Sequence, residues 1–257
     1  MSHEAASLLT LLESAAREAG DYLMTGYRTR PRTREKGLRD LVTEFDVASE
    51  KLLMERLGRV RDMGIAIVAE EGGGERAART LYIDPIDGTV NFAHGHPFFC
   101  ISLGLVEGDT LQAGVVHAPA LGVTWAAMRG QGATRNGEPC RVSHVPTIEE
   151  ALLATGFSPR VREQADFDRW IRVKKRAQAM RRCGSAALDL CLVADGTYDG
   201  YWERNLNPWD LAGGACLVRE AGGRVTGMNG GEFDPVTGHI CATNGAVHEA
   251  LAALIAT

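Results

Sequence analysis

Two carboxylates, Asp84 and Asp87, stand three residues apart around Pro85, behind the apolar, β-prone run Leu81, Tyr82, Ile83 and ahead of Gly88 and Thr89. A buried strand that ends in this stretch sets hard oxygen ligands beside free backbone N–H groups, a combination that suits a metal ion and a phosphate together. The carboxylates can hold Mg²⁺, while the N–H groups of Gly88 and Thr89, at the start of a helix, can take phosphate oxygens. An ordinary Asp-Gly turn is the simpler reading, but such a turn has no need of the first Asp.

The stretch Asp84 to Phe92, DPIDGTVNF, resembles the signature of the inositol monophosphatase family, the Mg²⁺-dependent, lithium-sensitive phosphatases of small sugar and polyol phosphates. Haloacid-dehalogenase-type phosphatases carry a similar D-x-D-G-T run whose first Asp is a covalent nucleophile. Here that position is Pro85, which has no carboxylate to be phosphorylated. A metal-activated water is the chemistry that survives. A second run, Pro208 to Gly214 with Trp209, Asp210, Ala212 and Gly214, resembles the W-D-x-A-x-G of the same family. Pro208 fits the first turn of a helix and Asp210 is favourable beside the dipole, so a helix start alone accounts for the Asp. It does not account for Trp209 and the small residues in that order.

Other charges read in two ways. On composition Lys36, Asp40 and Asp46 are solvated, Glu70 and Glu71 form a loop edge before Gly72, and Glu203 is an edge-strand charge. The resemblance implies instead that Asp46 hydrogen-bonds Thr89, that Glu70 bridges metals and positions the attacking water with Thr89, and that Glu71, Lys36 and Asp40 stand at the outer edge. It implies a ligand set of Glu70, Asp84, the carbonyl of Ile86, Asp87 and Asp210 around two or three Mg²⁺ ions. Phosphate and substrate would touch Asp87, Gly88, Thr89, Gly184, Ser185, Ala186, Glu203 and Asp210. At Gly184 to Ala186 tight helix packing explains the small side chains equally well. Oxygen-only ligation suits Mg²⁺ and argues against zinc. The His94-x-His96 pair finds no matching set of soft ligands and reads as loop.

The elements that must position these residues follow from periodicity. Leu8, Leu12, Ala15, Ala19, Leu23 and Tyr27 mark an amphipathic helix, and a second spans Val47 to Arg61. A short strand covers Ile65 to Val68. Phe98 to Val106, Leu111 to His117 and Val123 to Met128 read as an antiparallel meander. Further on, a strand at Ala151 to Thr155, a basic-faced helix from Asp166 to Arg182, a helix opened by Gly184 to Ala186, a strand at Tyr198 to Glu203, strands at Arg224 to Thr226 and Ile240 to Thr243, and a closing helix from Ala246 are expected. Pattern alone supports mixed α and β with antiparallel runs. The resemblance adds a layered α-β-α-β-α sandwich of the inositol monophosphatase and fructose-1,6-bisphosphatase type. It implies one domain of two lobes, residues 1–145 for metal and phosphate and 146–257 for substrate, assembled as a homodimer.

With 257 residues, 45% of them hydrophobic, the chain can bury a sizeable core. Its net charge of −5 lacks the basic surplus of nucleic-acid binders. Six cysteines without C-x-x-C spacing read as reduced, buried thiols. The first residues have no positive n-region and never reach the length of a membrane span, so a cytoplasmic location is expected. The expected partner is a small phosphate monoester. The expected activity is hydrolysis of myo-inositol 1-phosphate. Histidinol phosphate, fructose 1,6-bisphosphate and 3′-phosphonucleotides are the alternatives on the same fold, and a non-catalytic binding protein is a remoter one.

Overall fold

Leu12, Ala16, Ala19 and Leu23 recur at helical spacing and are fully buried along α1 (His3–Gly26) in the computed structural model, which describes residues 3–37, 40–157 and 163–256. A ribbon of β1 (Thr33–Gly37) and β2 (Asp40–Thr43) leads into α2 (Glu44–Arg56). This helix begins three residues before the expected Val47. Thr43 accepts the Phe45 N–H and Asp46 accepts the Thr43 N–H, a capping box that fixes the earlier start. It also ends sooner, at Arg56, where the chain tightens into a 3-10 turn over Gly58–Met63.

β3 (Ala66–Ala69), β4 (Arg79–Asp87), the meander β5 (Cys100–Glu107), β6 (Thr110–Ala118) and β7 (Val123–Met128), then β8 (Ala133–Arg135) and β9 (Glu138–Cys140) form a seven-stranded sheet in chain order. A short α3 (Thr89–His94) separates β4 from β5. Alternate residues of β4 enter different cores: Leu81 and Ile83 pack with the residues of α1 and α2, and Tyr82 packs on the other face. Both faces being covered, β4 is buried without a break from Thr80 to Asp87.

The remaining chain gives β10 (Leu152–Thr155), α4 (Gln164–Lys174), β11 (Ala179–Arg181), α5 (Ala186–Ala194), β12 (Gly200–Arg204), α6 (Pro208–Glu220), β13 (Arg224–Thr226), β14 (His239–Thr243) and α7 (His248–Ile255). Its five strands order as β11-β10-β12-β14-β13. Two expectations are corrected here. The helix expected over Asp166 to Arg182 stops at Lys174, because Ala179–Arg181 pairs in parallel with β10 as an edge strand. Glu203 is not on an edge, since β12 lies between β10 and β14.

Three apolar cores order the layers. α1 and α2 cover one face of the seven-stranded sheet, α5 and α6 fill the space between the sheets, and α4 and α7 cover the far side of the five-stranded sheet. This is the α-β-α-β-α sandwich. α6 lies directly on the seven-stranded sheet because Gly104 and Gly114 put no side chain beneath it. A Cβ would come within 2.4 Å of the Gly213 nitrogen from the first and 2.3 Å of its oxygen from the second. All six cysteines are free, and Cys100, Cys191, Cys216 and Cys241 are buried. No described helix is long and apolar enough to cross a membrane.

Candidate active site

Side chains of a regular strand alternate, so residues three apart should face opposite ways. The β4–β5 ladder avoids this: Asp84 pairs with Ser102 and Asp87 with Cys100, leaving one extra residue on β4 at Pro85–Ile86. Pro85, with no N–H to offer the ladder, is suited to that bulge. The bulge turns both carboxylates toward one cavity, which both of them line. The Asp84 Oδ1 accepts the Ile86 N–H at 2.9 Å, which holds the kink.

Asp87 is clamped from the opposite layer. Its Oδ2 accepts the Ser185 hydroxyl at 2.7 Å and the Ala187 N–H at 2.6 Å, in the first turn of α5, where Ser185 is the N-cap. Asp210 enters from α6. It is the third residue of that helix, behind Pro208, and its Oδ2 accepts the Asn207 N–H at 2.7 Å. One oxygen from each of Asp84, Asp87 and Asp210 lies within 4.8 Å of the others. Burial pushes all three carboxyls up, Asp87 to about 6 and the other two well above the ordinary range. Glu70, Asp87 and Asp210 add repulsion at Asp84. Such crowded oxygens fit a hard cation: the donor set is carboxylate alone, and a positive charge would relieve the repulsion.

Glu70 reaches the same cavity from the end of β3, where its N–H donates to the Ile83 carbonyl. Glu71 does not line it. Its backbone N–H instead donates to Glu50 Oε2 at 2.7 Å, tying this turn to α2. Lys36 and Asp40 belong to β1 and β2, and their side chains lie outside the described residues. His94 and His96 flank Gly95 at the end of α3 and take no part in the acidic group.

Gly88, at φ +99°, turns the chain out of β4 so that Thr89 opens α3. The Thr89 hydroxyl lies 3.0 Å from Asp46 Oδ1 and 3.1 Å from the Ile86 carbonyl. Asp46 is fully buried and held by Thr43, its N–H at 2.7 Å and its hydroxyl at 2.6 Å; burial lifts its carboxyl to about 6. The side of the cavity nearest β12 carries Glu203, whose Oε2 accepts the Tyr201 hydroxyl at 2.5 Å and whose carboxyl burial raises to about 7. Gly184, Ser185 and Ala186 line the same cavity. The whole cavity measures about 380 Å³.

Two supports were not singled out in the sequence. Asn91, inside the DPIDGTVNF run, donates to the carbonyls of Phe98 at 2.6 Å and Cys183 at 2.9 Å, fastening α3 to the turn before α5. Gly156 makes room for Glu203, since a Cβ there would stand 1.8 Å from Oε2. The first was hinted at by its place in the run; the second had no local signal.

Five alternating layers around this carboxylate group define a phosphatase that acts on phosphate monoesters. The chain belongs to the inositol monophosphatase family, whose model matches residues 4–257. It is 39% identical to an inositol-1-monophosphatase of Synechocystis over 96% of this chain and 88% of that protein. A Thermotoga maritima protein named fructose-1,6-bisphosphatase/inositol-1-monophosphatase is also 39% identical, over 91% of this chain and 90% of its own length. The crystal structure of the extragenic suppressor protein suhB from Bartonella henselae matches with a TM-score of 0.92 at 34% identity, covering 97% of this chain and 98% of that one.

Proposed function

We propose that this phosphatase hydrolyses myo-inositol 1-phosphate to inositol and phosphate, with Mg²⁺ as its cofactor, as a cytoplasmic homodimer. The observation that carries the reading is the convergence of Asp84, Asp87 and Asp210 oxygens within 4.8 Å, with Glu70 on the same cavity. Two or three Mg²⁺ ions held by Glu70, Asp84, the Ile86 carbonyl, Asp87 and Asp210 would supply an acidified water and positive charge for the leaving alkoxide.

The protein's own groups do the rest. Thr89, its proton drawn toward Asp46 or Ile86, offers lone pairs to a water, and Glu70 accepts that water's proton as it attacks phosphorus in line. Backbone N–H groups of Gly88 and Thr89 steady the phosphate. Glu203 and the Gly184 to Ala186 turn hold the hydroxyls of the leaving alcohol. Residues 1–145 form the metal and phosphate lobe in this reading and residues 146–257 the substrate lobe, with Asp210 crossing between them.

The test is phosphate release with Mg²⁺ from myo-inositol 1-phosphate, histidinol phosphate, fructose 1,6-bisphosphate and a 3′-phosphonucleotide, with and without lithium. Preference for the inositol ester, abolished by lithium, is expected. Preference for histidinol phosphate would keep the mechanism and replace the substrate. Turnover of none would favour a binding role.

A further inference from the structure

The attacking water stands between Thr89 and Glu70 in the reading above, and these residues come from different turns, one after β4 and one after β3. One helix touches both turns. α2 carries Asp46, Ser49 and Glu50 buried on one face, the first and last of them four residues apart. Asp46 holds the Thr89 hydroxyl at 3.0 Å. The Ser49 hydroxyl lies 3.5 Å from the carbonyl of Pro85, in the bulge that turns Asp84 and Asp87 to the cavity. Glu50 Oε2 accepts the Glu71 N–H at 2.7 Å.

The last contact bears on Glu70 through the peptide unit that the two glutamates share. The Glu71 N–H lies in one plane with the Glu70 carbonyl, so a bond to it sets the rotation about the Cα–C bond of Glu70. The Glu70 N–H is itself bound to the Ile83 carbonyl at 3.1 Å. Glu70 is thus held on both sides of its Cα, by β4 before it and by α2 after it. Beyond it the turn closes with the Gly73 N–H on the Ala69 carbonyl at 2.9 Å. Gly72 lets the Glu50 carboxylate come under this turn, since a Cβ there would stand 2.8 Å from Glu50 Oε1. Gly72 has no positive φ, so the close approach and not the backbone conformation calls for glycine. Glu50 is 6% exposed and is not among the described residues that line the cavity.

We propose that Glu50 is a positioning residue for the hydrolysis: by fixing the Glu70–Glu71 peptide it holds the Glu70 carboxylate in register with Thr89, and α2 is the bar that spaces the two groups around the water. The proposal rests on the phosphatase reading above, with Glu70 as the group that takes the water's proton. Glu50 acts through Glu70 alone.

The test is a double-mutant cycle on phosphate release in Mg²⁺ from myo-inositol 1-phosphate, or from whichever of the four esters above the wild type turns over fastest. Glu50→Ala should lower kcat by roughly 10- to 100-fold with KM for the ester little changed, the loss that a small misplacement of a reacting group brings. Glu50→Gln keeps the reach and one oxygen, and should recover part of that loss. In a Glu70→Gln background, followed by single turnovers, the same Glu50→Ala change should cost less than about 3-fold, because the group it positions is gone. Gly72→Ala displaces the Glu50 carboxylate without altering it; it should follow the same pattern, and it replaces Glu50→Ala if that variant does not fold. Amide exchange supplies a readout apart from turnover: in Glu50→Gln and Gly72→Ala the Glu71 amide should exchange roughly 10-fold faster or more while the amides of β5 and β6 keep their rates. Losses that multiply in the double variant, an unchanged kcat in Glu50→Ala, or an unaltered Glu71 amide would each overturn the proposal. Glu70→Gln alone is the separating control. A large loss there, alongside multiplying losses, rejects the role of Glu50 and keeps the phosphatase reading; full activity there, or no turnover of any ester by the wild type, rejects the reading itself.

Discussion

The Thr89 hydroxyl and the Asp46 carboxylate, 43 residues apart in the chain, meet at 3.0 Å. The hydroxyl has one proton and two acceptors in reach, Asp46 and the Ile86 carbonyl, so its lone pairs are left to the cavity. Asp46→Asn keeps the size of the side chain but presents an amide that can donate to Thr89 and turn its proton outward. A kcat lower by roughly 100-fold with little change in KM is expected, in the range for a positioned proton-transfer group. Steady-state kinetics beside a thermal melt decide it, and an unchanged kcat would remove Asp46 from the mechanism.

Metal should stabilise the fold. The Asp84, Asp87 and Asp210 carboxyls repel one another in a buried site, and a cation relieves this in the folded state only. Mg²⁺ at about a hundred times its Kd should add about 2.7 kcal/mol, enough to raise Tm by several degrees. In Asp84→Asn or Asp210→Asn the rise should shrink, and turnover should fall by several orders of magnitude. Calorimetric scans with EDTA and with Mg²⁺ read the first effect; phosphate release reads the second.

The buried Glu203 carboxyl makes stability depend on pH. Burial lifts it to about 7 from an ordinary 4.5, so between those values the folded chain keeps a proton that the unfolded chain has released. Its contribution is therefore full below about pH 4.5 and is lost as pH rises toward 7, to the extent of about 3 kcal/mol. Asp46 and Asp87, each held near 6, add slope of the same sign. Urea midpoints in EDTA should fall from pH 5 to pH 7.5, and less steeply in Glu203→Gln; identical slopes would refute the assignment.

Two glycines can be tested by adding one carbon. Gly156→Ala would put a Cβ 1.8 Å from Glu203 Oε2, so Glu203 must swing away and KM for the substrate should rise with kcat less affected. Gly104→Ala meets the backbone nitrogen of Gly213 at 2.4 Å and should lift α6 from the sheet, at a cost of about 1–3 kcal/mol or more. Because α6 carries Asp210, Mg²⁺ affinity should drop in the same variant. A stable Gly104→Ala with wild-type metal affinity would contradict the packing.

What was legible in the sequence was what is local. Asp84, Asp87, Gly88 and Thr89 lie within one strand and the turn after it, and Asp210 sits behind a proline that announces its helix. The meander was readable because its turns are short and its strands apolar on both faces. Glu203 looked like an edge charge because nothing beside it in the chain reveals that β10 and β14 flank its strand. The helix expected to Arg182 overran for the same reason: pairing with β10 overrides a helical pattern at Ala179–Arg181. Asn91 and Gly156 act on partners 92 and 47 positions away, which no window of sequence displays.

The clamp between Asp87 and α5 has a consequence for how the protein breathes. The Ala187 amide proton points at the same carboxylate that belongs to the acidic cluster. Opening the first turn of α5 therefore disorders that carboxylate, and whatever holds the carboxylate shut also holds the turn shut. Amide exchange at Ala187 becomes a reporter of site occupancy, slowing when the cluster is filled while the amides of α7, at the far face of the molecule, keep their rate.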